Sequence, residues 1–147
     1  DYLNDKKAVG KKVVVLGVGL VGSETALHLA ENGHQVTLVG RKPDIMKGVA
    51  VTDFLAYMER IAKTDMEICT LTTPLEIVAD GVMVEHKGKR RKIEADTVLY
   101  AFGAKTEQDL YHALKEAGKE AYLIGDAVFP GKIMDAIHTG YRLGLKL

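Results

Sequence analysis

The sequence predicts an α/β fold, in which a doubly wound parallel sheet carries a three-stranded antiparallel β-meander as an insert. Short apolar runs at residues 13–16, 36–39 and 97–101 are typical of parallel strands covered on both faces. Helical periodicity separates the first two runs, which indicates a strand–helix–strand unit. Residues 67–94 instead form short alternating segments, and these indicate antiparallel hairpins.

The elements can be assigned in chain order. The first strand is followed by a helix that reaches Asn32, with Gly33 at the position of a C-terminal cap. The turns of the meander are predicted at Asp80-Gly81 and Lys87-Gly88-Lys89. The remaining predicted elements are a helix at 52–63, strands at 67–71, 75–78, 82–86 and 91–94, a helix at 107–116, a last strand at 121–124 and a last helix at 132–147.

A glycine-rich turn joins the first strand to the first helix and matches the spacing G-x-G-x-x-G. Gly17 permits a tight turn, Gly19 lets the backbone approach a pyrophosphate, and Gly22 allows the helix to pack on the strand. The phosphates would meet free N–H groups at the helix N-terminus. The motif lies within a βαβ unit, which favours dinucleotide binding over a bare turn or over S-adenosylmethionine. The predicted cofactor-binding residues here are Gly17, Val18, Gly19, Leu20, Val21 and Gly22.

The end of the second strand carries the prediction of cofactor type. In NAD sites an acidic residue at this point accepts hydrogen bonds from the ribose. This chain has Gly40 there, followed by Arg41 and Lys42, and cations favour the 2′-phosphate of NADP. We therefore expect NADP, with NAD possible, and we expect Gly40→Glu to move the preference toward NAD. The alternative is that Arg41 and Lys42 belong to a solvated turn.

Several motifs together carry a family resemblance: GVGLVGSETA, ADTVLYAFG and especially YLIGDAVFPGKIMDAIHTGYRLG. Over nearly its whole length the chain resembles the C-terminal part of the flavoenzymes related to dienoyl-CoA reductase, enoate reductase and trimethylamine dehydrogenase. These enzymes join a flavin-binding barrel to a module like the flavoprotein disulfide reductases. The resemblance implies that the Rossmann-like domain positions NADPH for hydride transfer to FAD, with an unsaturated acyl or similar substrate reduced elsewhere.

The resemblance also implies roles for individual residues. Glu24 matches a position close to the nicotinamide, although it could also be a solvent-facing residue of the helix. The strand end at Phe102 and Gly103 joins the cofactor site. Asp126 matches an aspartate that holds the ribityl chain of FAD, although it could also be a simple cap. Further residues matched to the flavin side are Gly125, Lys132, Ile133, Met134 and Ala136. The last helix would direct free N–H groups toward an anion.

Three differences from the family shape the predicted organisation. The chain has a single glycine-rich βαβ unit, and it has neither the flavin barrel nor the iron–sulfur cysteine cluster. We therefore expect a linker at 1–10, an NAD(P)-binding domain at 11–104, and a return segment with the C-terminal remnant of an FAD domain at 105–147. The missing FAD-binding and barrel portions would be its partners, FAD would bind only in the full-length enzyme, and the isolated chain would be inactive. The uncovered last helix makes a homo-oligomer conceivable.

The composition excludes several other classes. Twenty basic residues balance twenty acidic ones, so no net charge attracts nucleic acid, and no apolar run is long enough for a membrane span. The single Cys69 excludes an intrachain disulfide and suits a cytoplasmic location as a buried, inert thiol. The basic run at 87–92 is interpreted as a solvated turn, and the histidines show no metal spacing. No catalytic side chain is assigned, because hydride transfer needs mainly the positioning of two cofactors. The alternative function is a free-standing dinucleotide-sensing regulatory domain.

Overall fold

The computed structural model describes residues 7–147, which divide into two compact units at Phe102 and Gly103. The first unit contains seven strands and two helices, and the second contains two helices and a short 3-10 turn. The elements of the first unit are β1 (Lys12–Leu16), α1 (Leu20–Glu31), β2 (Gln35–Val39), α2 (Val51–Ile61), β3 (Glu67–Cys69), β4 (Thr72–Val78), β5 (Gly81–His86), β6 (Lys89–Glu94) and β7 (Thr97–Tyr100). The second unit holds α3 (Asp109–Glu116), the turn Gly125–Ala127 and α4 (Ile133–Gly144).

The first unit has two sheets. Its parallel sheet has the strand order β3-β2-β1-β7, and its antiparallel sheet has the order β4-β5-β6. The central strand β1 is flanked by β2 and β7 in parallel register, with Val14 opposite Thr37 on one side and Val98 on the other. The predicted fold class, a Rossmann-like α/β fold with a three-stranded antiparallel insert, is confirmed.

Two hydrophobic clusters cover the two faces of β1, because its successive side chains point to opposite sides. Val13 and Val15 pack in the cluster that includes Leu27 of α1 and Tyr57 of α2. Val14 and Leu16 pack in the cluster that includes Val82 of β5. All four of these β1 residues are buried, so the antiparallel sheet covers the face that the helices leave open. This explains the unbroken apolar run of β1.

The local signals that bound α1 and the second hairpin are confirmed. Gly33 has a φ of 84°, and its N–H donates to the carbonyl oxygen of Ala30 at 3.0 Å, as expected of a left-handed C-terminal cap. Lys87 and Gly88 both have positive φ, 50° and 75°, which is typical of a two-residue hairpin turn. Lys89, the third residue of the predicted turn, instead begins β6. Residues 89–92 of the basic run therefore lie in a strand and not in a solvated turn.

The prediction of a last strand at 121–124 is wrong. In the described residues this segment forms no strand pairs, although Ile124 keeps an extended backbone with φ of −138° and ψ of 163°. A strand needs a hydrogen-bonded neighbour, and neither sheet supplies one to this segment. The prediction of a linker at residues 1–10 falls largely on residues 1–6, which lie outside the described part of the chain.

The second unit lacks a buried core. Every side chain of residues 103–147 is half-buried or exposed. The apolar residues of α4 and the preceding loop are among the most exposed, with Phe129 at 74% and Ile133 at 82%. A segment of this kind buries little apolar surface to offset its loss of conformational entropy.

Candidate functional site: the glycine turn and the end of β2

The glycine turn is fixed between the ends of two neighbouring strands. The N–H of Gly17 donates to the carbonyl oxygen of Val39 in β2 at 2.8 Å. Gly17 has a φ of 125°, and a Cβ added there would lie 2.4 Å from the carbonyl oxygen of Ala101, just after β7. Both the backbone angle and the close neighbour require glycine at this position.

Gly22 and Gly19 are glycines for different physical reasons. A Cβ on Gly22 would lie 1.9 Å from the carbonyl oxygen of Gly17, so the close packing of α1 on the turn requires a hydrogen there. Gly19 has ordinary extended angles, φ −72° and ψ −179°. A Cβ on Gly19 would meet no heavy atom within 4 Å, its chain neighbours and its own helix backbone aside, among the described residues. Neither the backbone nor the packing explains why residue 19 has no side chain.

The start of α1 has the electrostatics of an anion site. Gly19 is the N-cap residue, and its carbonyl oxygen accepts the first helical hydrogen bond from the N–H of Ser23 at 2.9 Å. The first turn of α1 contains no acidic residue. The N–H groups of a first helical turn have no intrahelical acceptor, and the helix dipole makes this end positive. The open space at Gly19 therefore lies at the positive end of α1.

The end of β2 lies beside this turn and is held by the last residue of β3 and the first residue of β4. The N–H of Gly40 donates to the carbonyl oxygen of Cys69 at 3.0 Å, and the carbonyl oxygen of Gly40 accepts from the N–H of Thr72 at 2.9 Å. The side chains of Arg41 and Lys42 are exposed. Both cations are therefore available to a ligand at the carboxyl edge of the sheet, where ligands of open α/β sheets bind.

Gly40 itself is enclosed, which opposes the expectation for Gly40→Glu. A Cβ at this position would lie 2.5 Å and 2.6 Å from the two methyl groups of Val18. Such distances are too short for carbon atoms in van der Waals contact. A glutamate at position 40 cannot be accommodated without a shift of Val18, so this single substitution is not a simple way to restore a ribose acceptor.

The remaining predicted residues of the first unit surround the turn. Leu20 and Val21 are 45% and 60% exposed at the start of α1, so they are not part of the core. Glu24 is exposed one turn further along the helix. Phe102 is half-buried, and its ring meets that of Tyr100 edge-on with 4.7 Å between centroids. It follows Ala101, whose N–H donates to the carbonyl oxygen of Leu16 at 2.8 Å.

The predicted flavin-side residues lie together in the second unit. Gly125 has a φ of 56°, and its N–H donates to the hydroxyl of Thr139 in α4 at 2.8 Å. A Cβ on Gly125 would lie 3.3 Å from the Cβ of Ala136, so the 3-10 turn packs closely on α4. Exposed Asp126 accepts a hydrogen bond from the N–H of Gly131 at 3.2 Å, through Oδ1. Gly103, Lys132, Ile133 and Met134 are exposed.

The start of α4 differs from the expected free anion site. Asp135 lies in its first turn, and one carboxylate oxygen accepts from the N–H of Lys132 at 2.8 Å. This carboxylate places a negative charge at the positive end of the helix. The N-terminus of α4 is therefore partly compensated from within the chain, unlike that of α1.

The sequence analysis missed a buried hydrogen bond behind the glycine turn. The hydroxyl of Tyr57 in α2 donates to the carbonyl oxygen of Ser23 at 2.6 Å. Tyr57 is 5% exposed, and this burial raises its pKa to about 12. The contact fixes α2 against the first turns of α1. The sequence signal that could have found it is the helical spacing of Phe54, Tyr57 and Ile61, the residues of α2 that pack on the core.

Cys69 is buried, as predicted, and is not ionised at neutral pH. Burial, together with the nearby carboxylate of Glu67, raises the pKa of the thiol to about 11. The thiol donates to Glu67 Oε1 at 3.2 Å, and Arg91 lies at the same distance from the sulfur. A thiol with a raised pKa is a poor nucleophile.

Two further classes of site are absent from residues 7–147. No group of three or more His, Cys, Asp or Glu side chains in this part of the chain has the arrangement of a metal site. Over the same residues, no helix combines the length and the apolar character needed to span a membrane.

The fold and the glycine-rich turn define the class of this protein. It is a Rossmann-like α/β protein whose glycine-rich turn opens at the carboxyl edge of a parallel sheet. The chain belongs to the pyridine nucleotide-disulphide oxidoreductase family, whose model matches residues 1–129. The resemblance to flavin-dependent oxidoreductases is thereby confirmed.

Individual relatives agree with this assignment. Cinnamate reductase of Clostridium sporogenes is 34% identical over 148 residues, which are 97% of this chain and 22% of the relative. NADH oxidase of Thermoanaerobacter brockii is 34% identical over 151 residues, which are 100% of this chain and 23% of the relative. The structure of 2-naphthoyl-CoA reductase in complex with 2-naphthoyl-CoA has a TM-score of 0.82 and 35% identity, covering 99% of this chain and 22% of that one. The chain thus spans less than a quarter of the length of each of these proteins.

Proposed function

We propose that this chain is the NAD(P)H-binding part of an FAD-dependent oxidoreductase of the cytoplasm. Residues 11–104 bind NADPH, residues 1–10 are a linker, and residues 105–147 are a return segment with the C-terminal remnant of an FAD domain. The full enzyme reduces an unsaturated acyl or similar substrate elsewhere in the polypeptide. Similar proteins named for the reduction of cinnamate and of 2-naphthoyl-CoA support this substrate class.

The open space at Gly19 is the observation that carries the proposal. A Cβ there would meet no described heavy atom within 4 Å, its chain neighbours and its own helix backbone aside, yet the residue caps a helix whose first turn has no acidic group. A pyrophosphate fits both features, because it needs close approach to the backbone and N–H donors that point at it. Gly17 and Gly22 shape the turn, and Gly19 leaves the space for the ligand.

The choice of NADPH rests on the end of β2. An acidic side chain at position 40 is absent and sterically opposed, while exposed Arg41 and Lys42 follow it directly. A guanidinium–phosphate contact is charge-assisted and contributes about 1.5–3 kcal/mol. The name of the NADH oxidase relative points instead to NADH, which lacks the 2′-phosphate. Ligands with and without this phosphate must therefore be compared directly.

The side chains of this unit orient the cofactor and do not react with it. A nicotinamide cofactor bound at the turn supplies a hydride for flavin reduction. The first turn of α1 holds the pyrophosphate, Arg41 and Lys42 hold the adenosine end, and exposed Glu24 lies on the helix beside the turn, where it contacts the nicotinamide half. Phe102 and Gly103 complete the site at the end of β7.

The flavin side of the proposal rests on residues 125–136. Asp126 binds the ribityl chain, and Gly125, Lys132, Ile133, Met134 and Ala136 form one wall of the flavin site. The exposed apolar side chains of α4, such as Ile133 at 82%, are then covered by the FAD-binding portion of the same polypeptide. Self-association through this face is the other way to cover it.

Calorimetry on two adenosine ligands tests the cofactor assignment. We expect the chain to bind adenosine 2′,5′-bisphosphate about ten- to a hundredfold more tightly than AMP, because only the former presents a phosphate to Arg41. Arg41→Ala should remove most of this difference. Lys63→Ala is the matched control, since it removes one exposed cation, paired with Glu59, that lies just after α2.

Three results would contradict the proposal at different levels. Equal affinities for the two ligands in the wild-type chain would refute NADP and leave NAD. An equal loss of preference in Lys63→Ala would show that net charge, and not Arg41, selects the phosphate. Binding of neither ligand would refute the dinucleotide site itself.

A further inference from the structure

Position 40 must be glycine because of one neighbouring side chain. A Cβ added to Gly40 would have Val18 Cγ1, Cγ2 and Cβ as its three nearest atoms, at 2.5, 2.6 and 3.0 Å. Gly40 is not among the residues with positive φ, so the backbone conformation itself accepts an L-amino acid. Val18 is therefore the first obstacle that a side chain at position 40 would meet.

Val18 has little freedom to move away. Its side chain is β-branched and stiff at χ1, and rotation about χ1 leaves the Cβ, at 3.0 Å, in place. The residue is 5% exposed within the cluster between the parallel sheet and the helices. Its carbonyl oxygen accepts hydrogen bonds from the N–H of Met46 at 2.8 Å and from the hydroxyl of Ser23 at 3.3 Å. Both its backbone and its side chain are thus held.

We propose that Val18 is a specificity-determining residue of the nucleotide site. Its methyl groups occupy the space that the first carbons of an aspartate or glutamate at position 40 would need. They keep a carboxylate away from the strand end where the ribose 2′-hydroxyl is held, so Arg41 and Lys42 act there without an opposing charge. Cofactor choice is therefore determined jointly by positions 18 and 40. This inference rests on the proposed dinucleotide site and adds the residue that sets its preference for a 2′-phosphate.

The steric coupling can be tested without any ligand. Thermal unfolding is measured for the wild type, Gly40→Ala, Val18→Ala and the double variant. We expect Gly40→Ala to lower the melting temperature by at least about 4 °C, as overpacking does. In the Val18→Ala background the same change should cost less than half as much, because both methyl groups are gone. Gly144→Ala is the control, since its Cβ would meet no described heavy atom within 4 Å.

The ligand measurement compares Gly40→Glu with Val18→Gly/Gly40→Glu. We expect Gly40→Glu alone to gain no affinity for AMP. The double variant has room for the carboxylate. The ratio of its affinity for AMP to its affinity for adenosine 2′,5′-bisphosphate should be about tenfold or more higher than the same ratio in Val18→Gly. A ribose acceptor and a charge that repels the 2′-phosphate would then both be present.

Each outcome decides a separate point. A wild-type melting temperature in Gly40→Ala, or tighter AMP binding by Gly40→Glu alone, overturns the role of Val18 while the dinucleotide site stands. Failure of the wild type to bind either ligand refutes the dinucleotide site, and the specificity role falls with it. The melting measurements still decide the steric coupling in that case.

Discussion

The most direct test of the glycine turn compares the substitutions Gly22→Ala and Gly19→Ala. A Cβ at position 22 would lie 1.9 Å from the carbonyl oxygen of Gly17, so helix or turn must shift by about 1 Å, beyond what small side-chain adjustments absorb. Overpacking of this severity costs about 3 kcal/mol. Alanine gains about 1 kcal/mol in helix propensity over glycine, so the clash dominates and the net loss is about 2 kcal/mol.

This loss converts into a measurable change. For a unit of about 100 residues, 2 kcal/mol lowers the melting temperature by about 8–16 °C. Gly19→Ala keeps allowed extended angles and meets no described neighbour, so its cost is that of a poorer helix cap, about 1 kcal/mol or less. It should nevertheless lose dinucleotide affinity, because the new methyl group occupies the space for the pyrophosphate.

Circular dichroism melting and calorimetry with NADPH separate the two effects. Gly22→Ala should be much less stable, and Gly19→Ala should fold but bind at least about tenfold more weakly. The reasoning is refuted if the two variants melt at the same temperature. It is equally refuted if Gly19→Ala binds NADPH as tightly as the wild type, since the open space would then have no ligand.

Three further predictions concern ionisation and cofactor content. The pKa of Tyr57 is raised from 10.0 to about 12 in the folded state, so its contribution to stability is complete below pH 10 and is lost as the pH rises toward 12. The free energy of unfolding of Tyr57→Phe should therefore fall less between pH 10 and pH 12 than that of the wild type. Cys69 should resist alkylation at pH 8, because its thiol pKa is about 11. Glu67→Gln should speed the alkylation, because it removes a carboxylate that raises this pKa. An unchanged rate would contradict that cause. The 147-residue chain should purify without yellow colour and oxidise no NADPH above the buffer rate with added flavin, because in the proposed function residues 125–136 form only one wall of a flavin site. Adding the proposed FAD-binding portion should restore flavin binding, which Asp126→Ala should weaken. A flavin absorbance band in the chain alone would refute this prediction.

The elements with strong local determinants could be predicted from the sequence. The β1–α1–β2 unit combines a buried apolar run, three spaced glycines and a glycine C-cap, and each signal favours the same structure. The hairpin turn at Lys87 and Gly88 is also a local feature, because two successive residues with positive φ form a tight turn and glycine adopts positive φ readily. These determinants act within a few residues, where a single sequence is informative.

The features that could not be predicted depend on residues far apart in the chain. The segment 121–124 has the composition of a strand, but a strand also requires a hydrogen-bonded neighbour. Composition does not reveal that this segment belongs to neither sheet. The contact of Val18 with Gly40 and the hydrogen bond from Tyr57 to Ser23 both join distant positions. For this reason the sequence supports a hypothesis about the cofactor at Gly40, but it does not identify Val18 as the neighbour of that glycine.

The position of β1 between β2 and β7 has a consequence for the order of folding. β2 follows β1 after a single helix, whereas the contacts beside β7 join residues 84 positions apart, as between the N–H of Lys12 and the carboxylate of Asp96. Closing so long a loop costs entropy before any pairing energy is gained, and such non-local contacts slow folding. On a ribosome, β1 and β2 therefore emerge and pair first. The central strand keeps one side unpaired until the whole meander has been synthesised.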